Sequence, residues 1–234
     1  MKMPWNRKKS TPTPPAPAPT EETTAGPIAE DDAVSEAETA VSEAKAYVTQ
    51  TAWEAIAPGF QDKDDIIESI TEMADDDEDL PLSGAEAEAI VEELWQQRLL
   101  QLQQPGERNP SDDVRVAAAF AELEGTGIFA RMSLGFDQGE GSDEARDLAK
   151  TTGARGFVYF HEQDANRLAY PDASLYLGWD AVGTTRDEYD AATIRLGEEI
   201  RAAMERQGLT VEWDGTLDRR PAVVHLDWRK PLPS

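Results

Sequence analysis

Gly156-Phe157-Val158-Tyr159-Phe160-His161-Glu162-Gln163-Asp164 is the stretch on which the fold turns. A short apolar run rich in aromatic and β-branched residues reads as a buried strand, because it is too brief for a helix. In an extended chain Phe157, Tyr159 and His161 share one face, and Val158 and Phe160 share the other. At the end of that strand the chain delivers a His, a Glu and an Asp within four residues. The protein has only two histidines, so any imidazole chemistry is expected here or at His225.

Outward from this strand the second half alternates extended and helical patterns. Residues 128–133 read as a strand, followed by a turn through Gly135, Gly139 and Gly141 and a short helix capped by Ser142. A helical turn over residues 164–169 leads to a strand over 175–179. Thr185-Arg186-Asp187-Glu188 has capping-box spacing and opens a helix burying Tyr189, Ala192, Leu196, Ile200, Ala203 and Met204, which Gly208 ends. Residues 210–213 and 222–228 read as strands around an Asp214-Gly215 turn.

The first half is helical. Val41, Val48, Ala52 and Ile56 lie at helical spacing before Pro58-Gly59. Asp62 precedes a helix carrying Ile66, Ile67, Ile70 and Met73. Ser83-Gly84-Ala85-Glu86 is a capping box ahead of Ile90, Val91, Leu94, Trp95 and Leu99. Ser111 precedes a helix with Val114, Ala117, Phe120 and Leu123 inward. Helices first, then mixed strands and helices, give an α+β class: a helical N-terminal part packed on a mixed sheet of about five strands with flanking helices. The expected organisation is a disordered Pro/Ala/Thr-rich tail over residues 1–33, an acidic helical region over 34–125, and a sheet region over 126–234 that forms one domain with the helices.

The 234 residues carry 47 Asp+Glu against 22 Lys+Arg, a net charge of -25. So negative a surface repels phosphate backbones and anionic lipid, so neither nucleic acid nor membrane is an expected partner; a basic protein is. Cysteine is absent, which removes disulfides, thiolate nucleophiles and Cys-based metal sites together. The basic opening through Arg7-Lys8-Lys9 runs into Ser10-Thr11-Pro12, with no apolar segment behind it, so no export signal is read and the cytoplasm is the expected compartment.

The candidate ligand or metal cluster is His161, Glu162 and Asp164, with Asp180 and His225 from neighbouring strands, since strand C-termini are common ligand positions in α/β sheets. Asp164 fits equally as the cap of the following turn, with His161 pinning the strand end. No HExxH-type spacing supplies a zinc site, and neither a phosphate loop nor a serine elbow is present, so no cofactor is expected. Asp75, Asp77, Asp79 and Glu86 fall at positions one, three, five and twelve of a calcium-loop count. Leu80 occupies the position that needs Gly, and the Ser83 box explains Glu86 without an ion. Arg219, Arg220 and Arg229 concentrate positive charge, either to neutralise the acidic helices or to take an anion or partner.

Several motifs in one order carry a resemblance. Ala119-Phe120-Ala121-Glu122-Leu123-Glu124 precedes Gly127-Ile128; the 156–164 stretch follows, then Leu175-Tyr176-Leu177-Gly178. Gly208-Leu209-Thr210-Val211-Glu212-Trp213-Asp214-Gly215 leads to Leu226-Asp227-Trp228. In these the chain resembles an actinobacterial family of unknown function made of small α+β domains, over roughly residues 45–230. The resemblance implies the fold and transfers no activity. In that family the position of Glu162 is often Gly, which makes it the weaker member of any shared site. Two functions follow: a non-enzymatic interaction or binding module with an acidic surface, or a metal-assisted hydrolase built on His161 and Asp164.

Overall fold

Val158 and Phe160 enter one apolar cluster while Phe157 and Tyr159 enter another, the period-two alternation expected of an extended chain buried on both faces. The computed structural model describes residues 28–77 and 79–234, with side chains from residue 37 onward. The chain divides into two units between Glu38 and Thr39. Of the first, residues 28–38 are helical, the opening of α1 (Ile28–Ile56). Residues 28–33, which composition assigns to the tail, are therefore helix; the rest of the expected tail lies outside the described residues.

Within the second unit, β2 (Gly156–Tyr159) is the middle strand of its sheet. It runs parallel to β1 (Ile128–Arg131) and antiparallel to β4 (Gly178–Ala181). A parallel pair needs a crossover, and α5 (Gln138–Thr152) supplies it, packing Ala145 and Ala149 on Phe129, Phe157 and Tyr159. The opposite face is covered by α4 (Asp112–Gly125) and α7 (Tyr189–Arg206), whose Val116, Ala119, Phe120, Leu196, Ile200 and Met204 join Val158 and Phe160.

The expected single sheet of about five strands is two three-stranded sheets. The strand expected over 175–179 divides between them: β3 (Leu175–Tyr176) pairs with β6 (Ala222–Val224), while β4 pairs with β2. Leu177 is the pivot, fully buried, with its N–H donating to the Pro221 carbonyl at 2.8 Å. β5 (Thr210–Glu212) completes the second sheet in the order β3-β6-β5. The last strand stops at Val224, because His225 takes a left-handed φ of 56°, which ends an extended run.

α1, α2 (Lys63–Asp76) and α3 (Gly84–Gln103) close a separate core around Val48, Ala52, Ile56, Ile66, Ile70, Val91 and Trp95. The Ser83–Glu86 capping box forms with both of its reciprocal bonds. Trp228 joins the helical layer to the sheets: its indole N–H donates to the Pro58 carbonyl at 3.0 Å, and its ring meets Phe60 and Phe160. Three local expectations shift. α4 buries Val116 and Ala119 and leaves Val114 exposed; α5 starts four residues before Ser142, capped by Asp137; Tyr189 is largely outside the α7 core. No helix among the described residues is long and apolar enough to cross a membrane.

Candidate functional site

The loops leaving β1 and β2 are zipped together by backbone bonds. Leu134 N–H donates to Phe160, Glu162 N–H to Gly135, and Gln163 N–H to Phe136. This pairing sets two helix starts side by side: α5, where Asp137 accepts from the Gly139 and Glu140 amides, and α6 (Glu162–Asn166).

His161, not Asp164, is the N-cap of α6. Its Nδ1 accepts from the Asp164 amide at 3.3 Å, which requires the neutral ring with the proton on Nε2. That Nε2 lies 2.9 Å from Asp164 Oδ2. Burial pushes the His161 imidazole below its ordinary value, with Asp164 opposing and Arg220 assisting. Asp164 is 2% exposed and meets the Arg220 guanidinium end-on. Arg220 Nη1 donates to Oδ1 at 3.2 Å and Nη2 to Oδ2. Arg220 also donates to the carbonyls of Tyr176 at 2.9 Å and Leu177 at 3.4 Å. One guanidinium thus ties α6 of the first sheet's loop to β3 of the second sheet.

The remaining predicted residues go elsewhere. Glu162 is half-buried and accepts from Gln61 Nε2 at 2.8 Å; burial pushes its carboxyl up, which the Gln61 bond opposes and Glu140 reinforces. Asp180 stands opposite Phe157 at the other end of the sheet, bonded to Thr193 and to Arg146 at 3.0 Å. There, burial and then Asp180 push the Tyr189 hydroxyl up to about 12. His225 is exposed beyond the far end of β6. Arg229 donates to the carbonyls of Leu102 at 3.0 Å and Gln104, capping the C-terminus of α3. Arg219 is exposed. So the structure joins His161, Asp164 and Arg220, and separates Glu162, Asp180, His225 and Arg229 from them. Among the described residues no group of three His, Asp or Glu side chains is placed to hold a metal ion. In the acidic loop, Asp75 accepts from the Gly84 amide at 2.8 Å and Asp77 from the Asp79 amide at 3.0 Å, so these carboxylates serve the backbone.

Two concavities share Asp164, Arg167 and Arg220 as a common wall. One, of about 420 Å³, reaches His161, Gln163 and Asp137. The other, of about 810 Å³, runs over the second sheet past Tyr176, Ala222, Glu212 and Trp213. Arg167 escapes a reading of the sequence, and Tyr176 enters it only as one aromatic of an expected strand. Arg167 begins the 3-10 turn Arg167–Ala169 after α6, and the alternation of Leu175 inward with Tyr176 outward is the signal that was available for the tyrosine.

The fold and this site together define a small α+β domain with a buried His–Asp–Arg clamp at the start of a groove. The chain belongs to the family described as a domain of unknown function, DUF6891, whose model matches residues 41–232. No curated protein and no solved structure matches it.

Proposed function

We propose that the domain is a non-enzymatic binding module of the cytoplasm, working through the groove beside the clamp. One observation carries this: the clamp is saturated by its own members. The only unprotonated nitrogen of His161 is spent on the Asp164 amide, and both Asp164 oxygens receive Arg220. A general base needs a free lone pair aimed at substrate, and a catalytic metal needs about three protein ligands with an open position. The clamp offers neither, and serves instead to fix the groove wall. The acidic helices favour a basic protein partner over nucleic acid or lipid as a second contact, since a charge of -25 steers cations inward.

The metal-assisted hydrolase makes the opposite prediction. Thermal denaturation of the full chain is followed with Zn²⁺, Mn²⁺, Mg²⁺ and Ca²⁺, for wild type and for His161→Ala. The binding module gives no metal-dependent stabilisation that differs between the two. A stabilisation of wild type that disappears in His161→Ala overturns it in favour of a metal site.

A further inference from the structure

The second sheet presents one register row to the groove. Tyr176 on β3, Ala222 on β6 and Glu212 on β5 are directly paired, so their side chains share a face. The neighbouring row, Leu175–Val223–Val211, packs into the core, which leaves the Tyr176 row facing out. Ala222 in the middle strand is the smallest of the three and hollows the floor. The outer strands stand two strand spacings apart, about 9.5 Å between their backbones.

The charges along this row are unequal in their commitments. Arg220 is spent on Asp164 and two carbonyls. Asp214 is tied to the Thr216 amide at 3.0 Å and hydroxyl at 2.8 Å. Asp218 and Arg219 are exposed at the rim, on the loop outside the Tyr176–Ala222–Glu212 row. Arg167 on one wall and Glu212 on the other are left. Arg167 stacks over the Tyr176 ring at 5.6 Å, with Arg220 over the same ring at 5.7 Å; its guanidinium has no hydrogen-bond or ion-pair partner among the described residues. In a chain with 47 acidic residues carboxylates are abundant, yet this cation is held by an aromatic ring and keeps its donors toward the groove. The Glu212 carboxylate, exposed on β5, likewise has no hydrogen-bond or ion-pair partner among the described residues.

From this we infer, on the basis of the binding reading above, that the groove takes a small dipolar ligand. Its anionic group sits on Arg167 beside Tyr176, its body crosses Ala222, and its cationic group meets Glu212 near the Trp213 ring. The 810 Å³ of space falls within the range of small-molecule pockets. Recognition at both ends explains how a protein of this net charge holds an anion at all: the cationic end is welcomed by the acidic surroundings, and the stacked arginine selects the other.

The probes are 6-aminohexanoate, hexanoate and hexylammonium, titrated into the full chain. The readout is the Trp213 indole N–H resonance, whose proton is shared between the Thr216 and Arg219 carbonyls; a Trp213→Phe variant assigns it. The dipolar probe is expected to shift it saturably with a Kd of about 1 mM, and each singly charged probe to bind at least about fivefold more weakly. Arg167→Gln should reduce 6-aminohexanoate to the level of hexylammonium, and Glu212→Gln to the level of hexanoate. Both residues are exposed, so neither change threatens folding. Equal binding of hexanoate and 6-aminohexanoate overturns the dipolar class in favour of a simple anion. Binding of hexylammonium that matches the dipolar probe and ignores Arg167→Gln overturns it in favour of unspecific attraction of cations. A silent resonance in every arm overturns this ligand class and leaves the binding module to the metal experiment, which alone decides it.

Discussion

Histidine seldom caps a helix; Ser, Thr, Asp and Asn do so because a short side-chain oxygen reaches the first free amides. His161 performs that task with Nδ1, and only while neutral, since a proton there would face the Asp164 N–H donor to donor. The groups facing the ring are Asp164, Arg220, Asp137 and Arg167; burial, helped by the two arginines, outweighs the two carboxylates and pushes its pKa below the ordinary 6.5. In the unfolded chain His161 takes up a proton near that ordinary value, while in the folded one it resists. The unfolded state therefore binds more protons at mildly acid pH, and stability present above 6.5 is lost as pH falls toward the lower folded value. His161→Asn keeps a cap acceptor and removes the titration. Urea melts of both proteins between about pH 5 and about pH 8 should show wild type losing more stability on acidification than the variant. Parallel profiles would mean that the ring takes up its proton equally readily folded and unfolded, and that burial does not hold it neutral. His161→Ala, with no acceptor, should cost about 1 kcal/mol at neutral pH. At this scale His161 and Asp164 were legible as neighbours, because three residues separate them. Arg220 was visible as a charge but not as their partner, because 56 residues separate it from Asp164 and only the fold closes that distance. The capping role was misassigned to Asp164 because residue preference points to the carboxylate.

Elements were legible where one periodicity runs uninterrupted. β2 and α3 with its capping box followed from pattern alone; α7 followed except at its start, where the expected Thr185–Glu188 box does not form and Glu188 is the N-cap with no side-chain cap bond. The strand expected over 175–179 was not legible as two, because Leu175, Leu177 and Trp179 alternate as one strand would, and nothing local marks the change of sheet at Leu177. The second sheet, which carries the groove, was therefore hidden inside an expected single sheet. Gly156 is the element-scale clue that a pattern search passes over. A glycine opening a buried strand marks close approach by another element: a Cβ there would press on Leu196 of α7 at 2.5 Å and on the Asp180 carbonyl of β4 at 2.8 Å. The backbone of β4 cannot yield without breaking its register with β2. Gly156→Ala should thus destabilise the protein by about 1–3 kcal/mol, the usual cost of overpacking, with an unchanged dependence on denaturant. A neutral or stabilising result would show that α7 can lift from the sheet, and that the two faces of β2 are packed less tightly than the contacts imply.

The whole molecule sets a large self-repulsion against a modest set of local attractions. Several ion pairs among the described residues are exposed, among them Arg146–Asp143 at 3.3 Å and Lys150–Asp147 at 3.3 Å, and exposed pairs are worth about 0–1 kcal/mol each. Against them stands a net charge of -25, with 23 acidic residues between Glu21 and Glu93 and only Lys45 and Lys63 to offset them. Salt weakens both, but the screening length falls from about 30 Å at 0.01 M to about 3 Å at 1 M. Repulsion acts across the acidic helices over many ångströms, while the pairs act at contact. Screening therefore removes the unfavourable part first. The Asp164–Arg220 pair, whose carboxylate is buried, is changed less. The melting temperature should consequently rise as sodium chloride is added from about 0.01 M to about 0.5 M, before any specific ion effect enters. A chloride and a sulfate series at matched ionic strength separate screening from salting-out, since only the latter depends on the anion. A melting temperature that falls with chloride would mean that the pairs outweigh the repulsion. The acidic helices would then be a balanced surface, with no bias toward a basic partner.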